Sequence, residues 1–271
     1  MLDLMCSSYT TSGVMPGGPV ASRHGLAERL AACAAAGYRG YWLHWRDYVE
    51  QRGAGMSDGA LRALFDRHDL PHRGVEFFSD WFVDGDAAAA NAEARSFDAA
   101  RAIGAESVNV GADFAGRGFP LEHMVERFGA LCGRAADRGL RIGLELVAWS
   151  DVSDVGTALR FLEPRNAALV IDAWHVFRAG LPLSDLARIP ADRVSCIQVN
   201  DAPAAVRGAL ADDTRHRLFC GEGVFDLTGF LKATERFGTP VSVEIISPEV
   251  ARMPLAEAAR ISCETAGRLM R

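Results

Sequence analysis

The sequence predicts an α/β protein, a closed (β/α)8 barrel formed as a single domain over residues 1–271. Eight short apolar runs alternate with longer Ala/Leu/Arg stretches whose apolar residues recur every three or four positions. No Ser/Pro-rich linker or low-complexity tract divides this pattern. The segment TTSGVMPGG after the first run does not develop into G-x-G-x-x-G and a helix, as the phosphate turn of a doubly wound open sheet would.

The runs, in order, are LDLMCSSY from Leu2, GYRGYWLHW from Gly37, HRGVEFFS from His72, ESVNVGAD from Glu106, RIGLELVAW from Arg141, AALVIDAWH from Ala167, SCIQVND from Ser195 and VSVEIIS from Val241. Between them lie predicted helices. GLAERLAACAAAG ends on Gly37, a C-cap, and SDGALRALFDRHD begins on Ser57, an N-cap. DAAAANAEARSFDAARAIG, LEHMVERFGALCGRAADRG and LTGFLKATERFG follow, and PLAEAARISCETAGRLMR closes the chain.

At 49% hydrophobic residues the chain can bury a substantial core. A net charge of −6 disfavours a nucleic-acid partner, which draws on basic surface to displace counterions. No apolar stretch reaches eighteen residues and no basic-then-apolar leader opens the chain, so a soluble cytoplasmic protein without a membrane partner is expected. The six cysteines are scattered without a C-x-x-C pair and read as reduced, packed thiols.

In such a barrel the active site lies at the carboxyl ends of the strands. The polar residues late in the last four runs are Glu145, Asp172, Gln198 with Asp201, and Glu244. Buried carboxylates converging on one point repel one another unless a cation sits among them. Glu145, Asp172 and Glu244, with the carbonyl oxygen of Gln198, therefore read as ligands of one divalent metal ion; the alternative for each acid alone is a structural ion pair with an arginine.

These segments, LELVAWSDV, VIDAWHVFRAG, IQVNDAP, RLFCGEGVFDL and VSVEIIS, resemble in order the C-terminal half of the xylose-isomerase-like TIM barrel superfamily. That superfamily includes sugar isomerases, ketose 3-epimerases, inosose dehydratases, 3-dehydroshikimate dehydratases and endonuclease IV. The resemblance implies the same four metal ligands, with His175 beside the substrate oxygens and Arg217 orienting a substrate oxygen or carboxylate. Gly221-Glu222-Gly223 is similar to the loop that precedes the last helix and strand. The chain departs from the family at Gln198, where many members carry histidine. The resulting all-oxygen set favours Mn²⁺ or Mg²⁺, with Co²⁺ as a further choice, over Zn²⁺. It departs again in GYRGYWLHW, which shows Trp42 and His44 where many relatives carry a glutamate.

The implied activity is isomerisation or epimerisation of a small polyhydroxylated carbonyl compound, with the metal stabilising an enediolate and Glu145 or Glu244 moving the α-proton. Loss of a β-hydroxyl instead, with His175 as acid or base, gives a dehydratase of the 3-dehydroshikimate or inosose type. An endonuclease IV-like nuclease and a non-catalytic binder are more distant alternatives. Asn109 and Asp113 either hold substrate hydroxyls or cap the next turn, and Asp201 orients Gln198 or Arg217. Arg217 has a surface pair with Asp212 or Asp213 as its structural alternative. Trp42, Trp81 and Trp149 are candidate pocket walls, and Arg217, Arg46 and Arg117 candidate partners for an acidic substrate. Related barrels often pair, which allows a homo-oligomer.

Overall fold

The computed structural model describes residues 3–18 and 21–270. Leu2, where the first run begins, and Arg271, where the last helical stretch ends, lie outside the described residues. Each of the eight runs forms a strand: β1 (Leu4–Ser7), β2 (Gly40–His44), β3 (His72–Phe78), β4 (Ser107–Val110), β5 (Arg141–Glu145), β6 (Ala167–Asp172), β7 (Val194–Val199) and β8 (Val241–Val243). All pairings are parallel and follow chain order, and β8 returns to β1 to close the barrel. Strands covered on both faces have no solvent side, so they read as continuous apolar runs rather than as alternation.

The outer face packs against helices Leu26–Ala36, Asp58–Arg67, Ala87–Ile103, Leu121–Ala136, Leu227–Thr234 and Leu255–Leu269. The predicted caps are present. The Ser57 hydroxyl accepts from the Ala60 amide at 3.1 Å, and Gly37 ends its helix at φ 104°, where a side chain would be strained. Cover is thinner on the later strands, where only Val155–Leu159 lies between β5 and β6, and Ala173–Arg178 with the 3-10 turn Leu183–Arg188 between β6 and β7. Further short helices, Ser8–Ser12, Trp45–Gly53, Leu210–Asp213 and Pro248–Arg252, were not predicted. One or two turns are too few for a 3.6-residue period to emerge from the sequence.

Inside the barrel, Met5, Trp42, Val170 and Cys196 form a small apolar cluster apart from the main core. Each stands two positions before a polar residue on its own strand or at its end: Ser7, His44, Asp172 and Gln198. Because side chains alternate with period two, this cluster is one layer below the polar ones and forms their floor. The Trp42 ring fits because β3 supplies Gly74 beside it; a Cβ there would come within 2.1 Å of the ring. Trp42 is thus a floor residue and not a pocket wall. All six cysteines are buried and free.

Candidate active site

A cavity of about 630 Å³ opens at the carboxyl ends of the strands, lined by Glu76, Asn109, Glu145, His175, Gln198 and Glu244 among others. Its size is that of small-molecule sites. Asp172 and Gln198 are register partners on β6 and β7, and Gln198 in turn partners Ser242, two residues before Glu244. Alternation along the strands therefore aims all of them inward.

The four predicted ligand residues come together at this end of the barrel, all buried. Carboxylate oxygens of Glu145 and Asp172 and a ring nitrogen of His175 lie within 4.8 Å of one another. Glu244 joins them through Arg217, whose Nη1 donates to Asp172 Oδ2 and to Glu244 Oε2, each at 2.7 Å. Asp172 Oδ1 accepts from the Trp174 amide and from Asn200 Nδ2, both at 2.8 Å, which fixes its rotamer. Gln198 Oε1 is buried without a hydrogen-bond partner. An unsatisfied buried carbonyl oxygen is rare and calls for an explanation. A cation among three carboxylates supplies one, so the donor set fits a hard divalent ion.

His175 belongs to the geometric group, yet its protonation argues against ligation. Its Nδ1 accepts from the Ala148 amide at 3.2 Å, so the neutral ring carries its proton on Nε2, 3.5 Å from Glu145 Oε1. Burial lowers its pKa to about 3, keeping the ring neutral. His44 repeats this arrangement on β2. Its Nδ1 accepts from the Arg46 amide at 3.1 Å, and burial lowers its pKa to about 4. The cavity thus has two neutral imidazoles, each with an N–H to offer.

Sequence reasoning missed Glu76. It is buried on β3, partners His44 in register and lines the cavity. The signal was present, an acid inside the apolar run HRGVEFFS, but Glu76 does not end its run. The β3–β4 register slips by one residue between Val75 and Phe78, a bulge that carries the strand past this acid. Ser7 was missed with it. Its hydroxyl lies 2.8 Å from Glu76 Oε1 and 3.0 Å from Glu244 Oε1, and accepts from the Tyr9 amide. A hydroxyl has one proton and cannot donate to both carboxylates. The bonds close if one carboxyl carries a proton, and Glu76 is that one. Burial raises both acids, but Arg217 opposes the rise at Glu244, whereas Glu76 faces no cation and is raised further by Glu244.

The other predicted residues divide between the cavity and its surroundings. Arg217 is buried and pairs with Asp172 and Glu244, not with Asp212 or Asp213; Asp213 is taken by Arg178 at 2.7 Å. Asp201 contacts neither Gln198 nor Arg217. It accepts from the amides of Ala202, Gly221 and Phe225 and so ties down the loop that contains Gly221-Glu222-Gly223. Asp113 caps its own turn through the amides of Ala115 and Arg117. Arg117 is bound to Asp113 and Asp80 and does not line the cavity. Trp81 donates to Gly111 O and packs among Phe82, Phe128 and Phe161, away from the cavity, whereas Trp149 lines it beside His175. Asn109 lines it too, with Oδ1 buried and unpartnered.

A closed eight-stranded barrel with this inward acid cluster defines the class, and comparison with known proteins defines the family. Residues 30–266 match the xylose isomerase-like TIM barrel family, to which the chain belongs. The chain is 28% identical over 232 residues to a 3-dehydroshikimate dehydratase of Pseudomonas aeruginosa, covering 82% of this chain and 36% of that protein. It is 29% identical over 102 residues to an inosose isomerase of Bacillus licheniformis, covering 37% of this chain and 36% of that one. The chain thus spans little more than a third of the length of these relatives. A crystal structure of the IOLI protein with a bound zinc atom superposes with a TM-score of 0.81 at 19% identity, over 99% of this chain and 98% of that one. The family is one of enzymes, and its members named here are dehydratases and isomerases. Among the described residues no helix is long and apolar enough to cross a membrane.

Proposed function

We propose that this chain is a divalent-metal-dependent enzyme that removes a proton next to a carbonyl on a small polyhydroxylated ring and expels a β-hydroxyl, a dehydratase of the 3-dehydroshikimate type. One observation carries the reading: three buried carboxylates share a site with one guanidinium and with the unpartnered amide oxygen of Gln198. Burial, then Glu244 and Asp172, raise Glu145 as well, a repulsion that a cation relieves; with Glu76 neutral and the other three acids ionised around it, they and Arg217 leave two negative charges, which a divalent ion neutralises. Glu145, Asp172, Gln198 and Glu244 would hold it, and the all-oxygen set favours Mn²⁺ or Mg²⁺. When bound, the ion supplies Lewis-acid stabilisation of the negative charge that develops on a carbonyl oxygen.

The chain's own groups divide the remaining work. Glu145 is the base. It makes no hydrogen bond among the described residues, whereas Glu244 is committed at both oxygens, to Ser7 and to Arg217. The C–H proton passes to Glu145, the C–O bond of the β-hydroxyl breaks, and the same proton leaves with that oxygen as water. His175 Nε2–H and His44 Nε2–H orient substrate oxygens as neutral donors. A neutral imidazole with so low a pKa is a hydrogen-bond donor rather than a strong acid, which narrows the role expected for His175. Length of identity favours dehydration, since the dehydratase relative matches 82% of this chain and the isomerase relative 37%. Isomerisation or epimerisation is the second reading, favoured by Glu76, a further carboxyl facing the cavity that could return the proton. The free, buried thiols suit the cytoplasmic location expected from the sequence.

The test is incubation of Mn²⁺-loaded protein in deuterated water with 3-dehydroshikimate, inososes and ketoses. Water loss from 3-dehydroshikimate, giving an aromatic product with a new ultraviolet band, is the expected result. Deuterium uptake with epimer formation on a ketose or inosose, and no water loss, selects the second reading. No exchange on any of them overturns both.

A further inference from the structure

Two arginines line the cavity without a carboxylate partner. Arg46 follows His44 at the end of β2, and Arg215 stands two residues before Arg217 in the segment between β7 and β8; both contribute to the cavity wall. The arginines that stand nearest the cavity's acids are already committed. Arg217 holds Asp172 and Glu244, Arg117 holds Asp80 and Asp113, and Arg178 holds Asp213. Neither Arg46 nor Arg215 has an acid within 4.0 Å among the described residues, although acids are near in sequence. Asp47, next to Arg46, is consumed by Arg29 at 2.6 Å and by Ser22. Asp213, two before Arg215, is consumed by Arg178 and by the Arg207 amide.

The two side chains differ in setting, Arg46 exposed and Arg215 partly covered. The Arg46 guanidinium lies over the Trp45 ring at 4.9 Å from its centroid, a cation–π contact that leaves its edge free to donate. Arg215 is half-buried, and its Nε is buried without any hydrogen-bond partner. Its Nη groups make no hydrogen bond among the described residues either but are not shut off in this way, so they are the part of the fork that a ligand in the cavity can reach. Among the described residues none of the acids on the cavity wall, Glu76, Asp80, Asp86, Glu145 and Glu244, lies within 4.0 Å of either guanidinium. Asp80 is bound to Arg117, Asp86 caps the helix Ala87–Ile103, and Glu244 is held by Arg217. Arg46 and Arg215 are therefore the guanidiniums on the wall that have no direct acid partner.

We propose that Arg215, with Arg46, forms an anion subsite that binds a carboxylate of the substrate, so that this cavity takes a ring acid in preference to a neutral sugar. This rests on the reading of the cavity as the substrate site and adds the group by which the substrate is chosen. The planar fork of a guanidinium matches the two oxygens of a carboxylate, and a second cation on the wall of the same cavity adds to the attraction for an anion. The neutral donors on His44 and His175 are left for hydroxyl and carbonyl oxygens.

The experiment is equilibrium binding, by calorimetry on Mn²⁺-loaded protein, of 3,4-dihydroxybenzoate and of catechol, which is the same ring without the carboxylate. The expected result is a preference for the acid of at least tenfold in the unaltered protein, reduced to about twofold or less in Arg215→Ala, with catechol affinity, metal content and melting temperature unchanged. Arg215→Lys should keep part of the preference and Arg46→Ala should lower it less than Arg215→Ala. Equal affinity for the two rings, or equal loss for both in Arg215→Ala, overturns the subsite. Tighter binding of a ketose phosphate than of the acid overturns the carboxylate assignment. Binding of neither ring to metal-loaded protein overturns the subsite together with the reading of the cavity. A preference for the acid with no turnover of any carbonyl substrate leaves the subsite standing and removes the reaction.

Discussion

The two halves of the barrel carry their buried acids in different ways. The β5–β8 half brings Glu145, Asp172 and Glu244 together and offsets them with a buried guanidinium, Arg217. The β1–β4 half brings Glu76 with no cation beside it, only the Ser7 hydroxyl and the Ser8 amide, and offsets it with a proton. Its other polar group at that level, His44, is likewise neutral. At the level of Glu76 and Glu145, one half of the cavity holds charge and the other offers uncharged donors. The lesson is that buried polar residues of one type, here glutamates on strands, take opposite states according to whether an opposite charge is in reach.

The comparison can be broken in four places. The largest effect is expected for Glu145→Gln, which removes the carboxylate of the buried cluster that makes no hydrogen bond among the described residues. Turnover should fall by about a thousandfold or more, while urea unfolding stays close to that of the unaltered protein. Near-normal rates would take Glu145 out of the chemistry. Next, Arg217→Met leaves Asp172 and Glu244 buried without their guanidinium. Losing one partner of a buried ion pair costs about 3–5 kcal/mol, read as a drop in the urea midpoint, and added Mn²⁺ should recover part of it. A change under about 1 kcal/mol would mean that Arg217 does not balance these acids.

A smaller effect concerns pH. In the folded protein His44 titrates near pH 4, against about 6.5 for an unperturbed histidine. Between those values the unfolded chain binds the proton and the folded one does not, so this group's contribution is present above about pH 6.5 and is lost as pH falls toward 4. His44→Asn, which retains an acceptor for the Arg46 amide, should flatten that decline; an unchanged slope would show that His44 is not held neutral. The smallest effect is expected for Glu76→Gln. A neutral amide replaces a neutral acid, so stability should move by about 1 kcal/mol or less and metal affinity should hold. A large loss of metal affinity would show that Glu76 is ionised and belongs with the acids of the other half.

Much of this was legible in the chain. All eight strands, six of the covering helices and the inward residues Glu145, Asp172, Gln198 and Glu244 stand where apolar runs and their polar ends indicate. Glu76 obeyed the same logic but sat before a bulge rather than at a run's end. Asp201's partners and the surface alternative for Arg217 were misjudged for a different reason. Which acid a buried arginine meets depends on loops that cross between strand ends, and sequence proximity to Asp212 and Asp213 says nothing of that.

What the sequence determined by itself is the barrel and the direction its strand-end side chains face, because periodicity and alternation are properties of the local backbone. What tertiary structure alone decided is the company each side chain keeps. Arg217 lies between two acids 45 and 27 residues away, Ser7 bridges glutamates 69 and 237 residues away, and Arg46 and Arg215 remain without acids. Charge state and hydrogen bonding depend on distance in space, and the closed ring of strands sets that distance across gaps in sequence that no local pattern records.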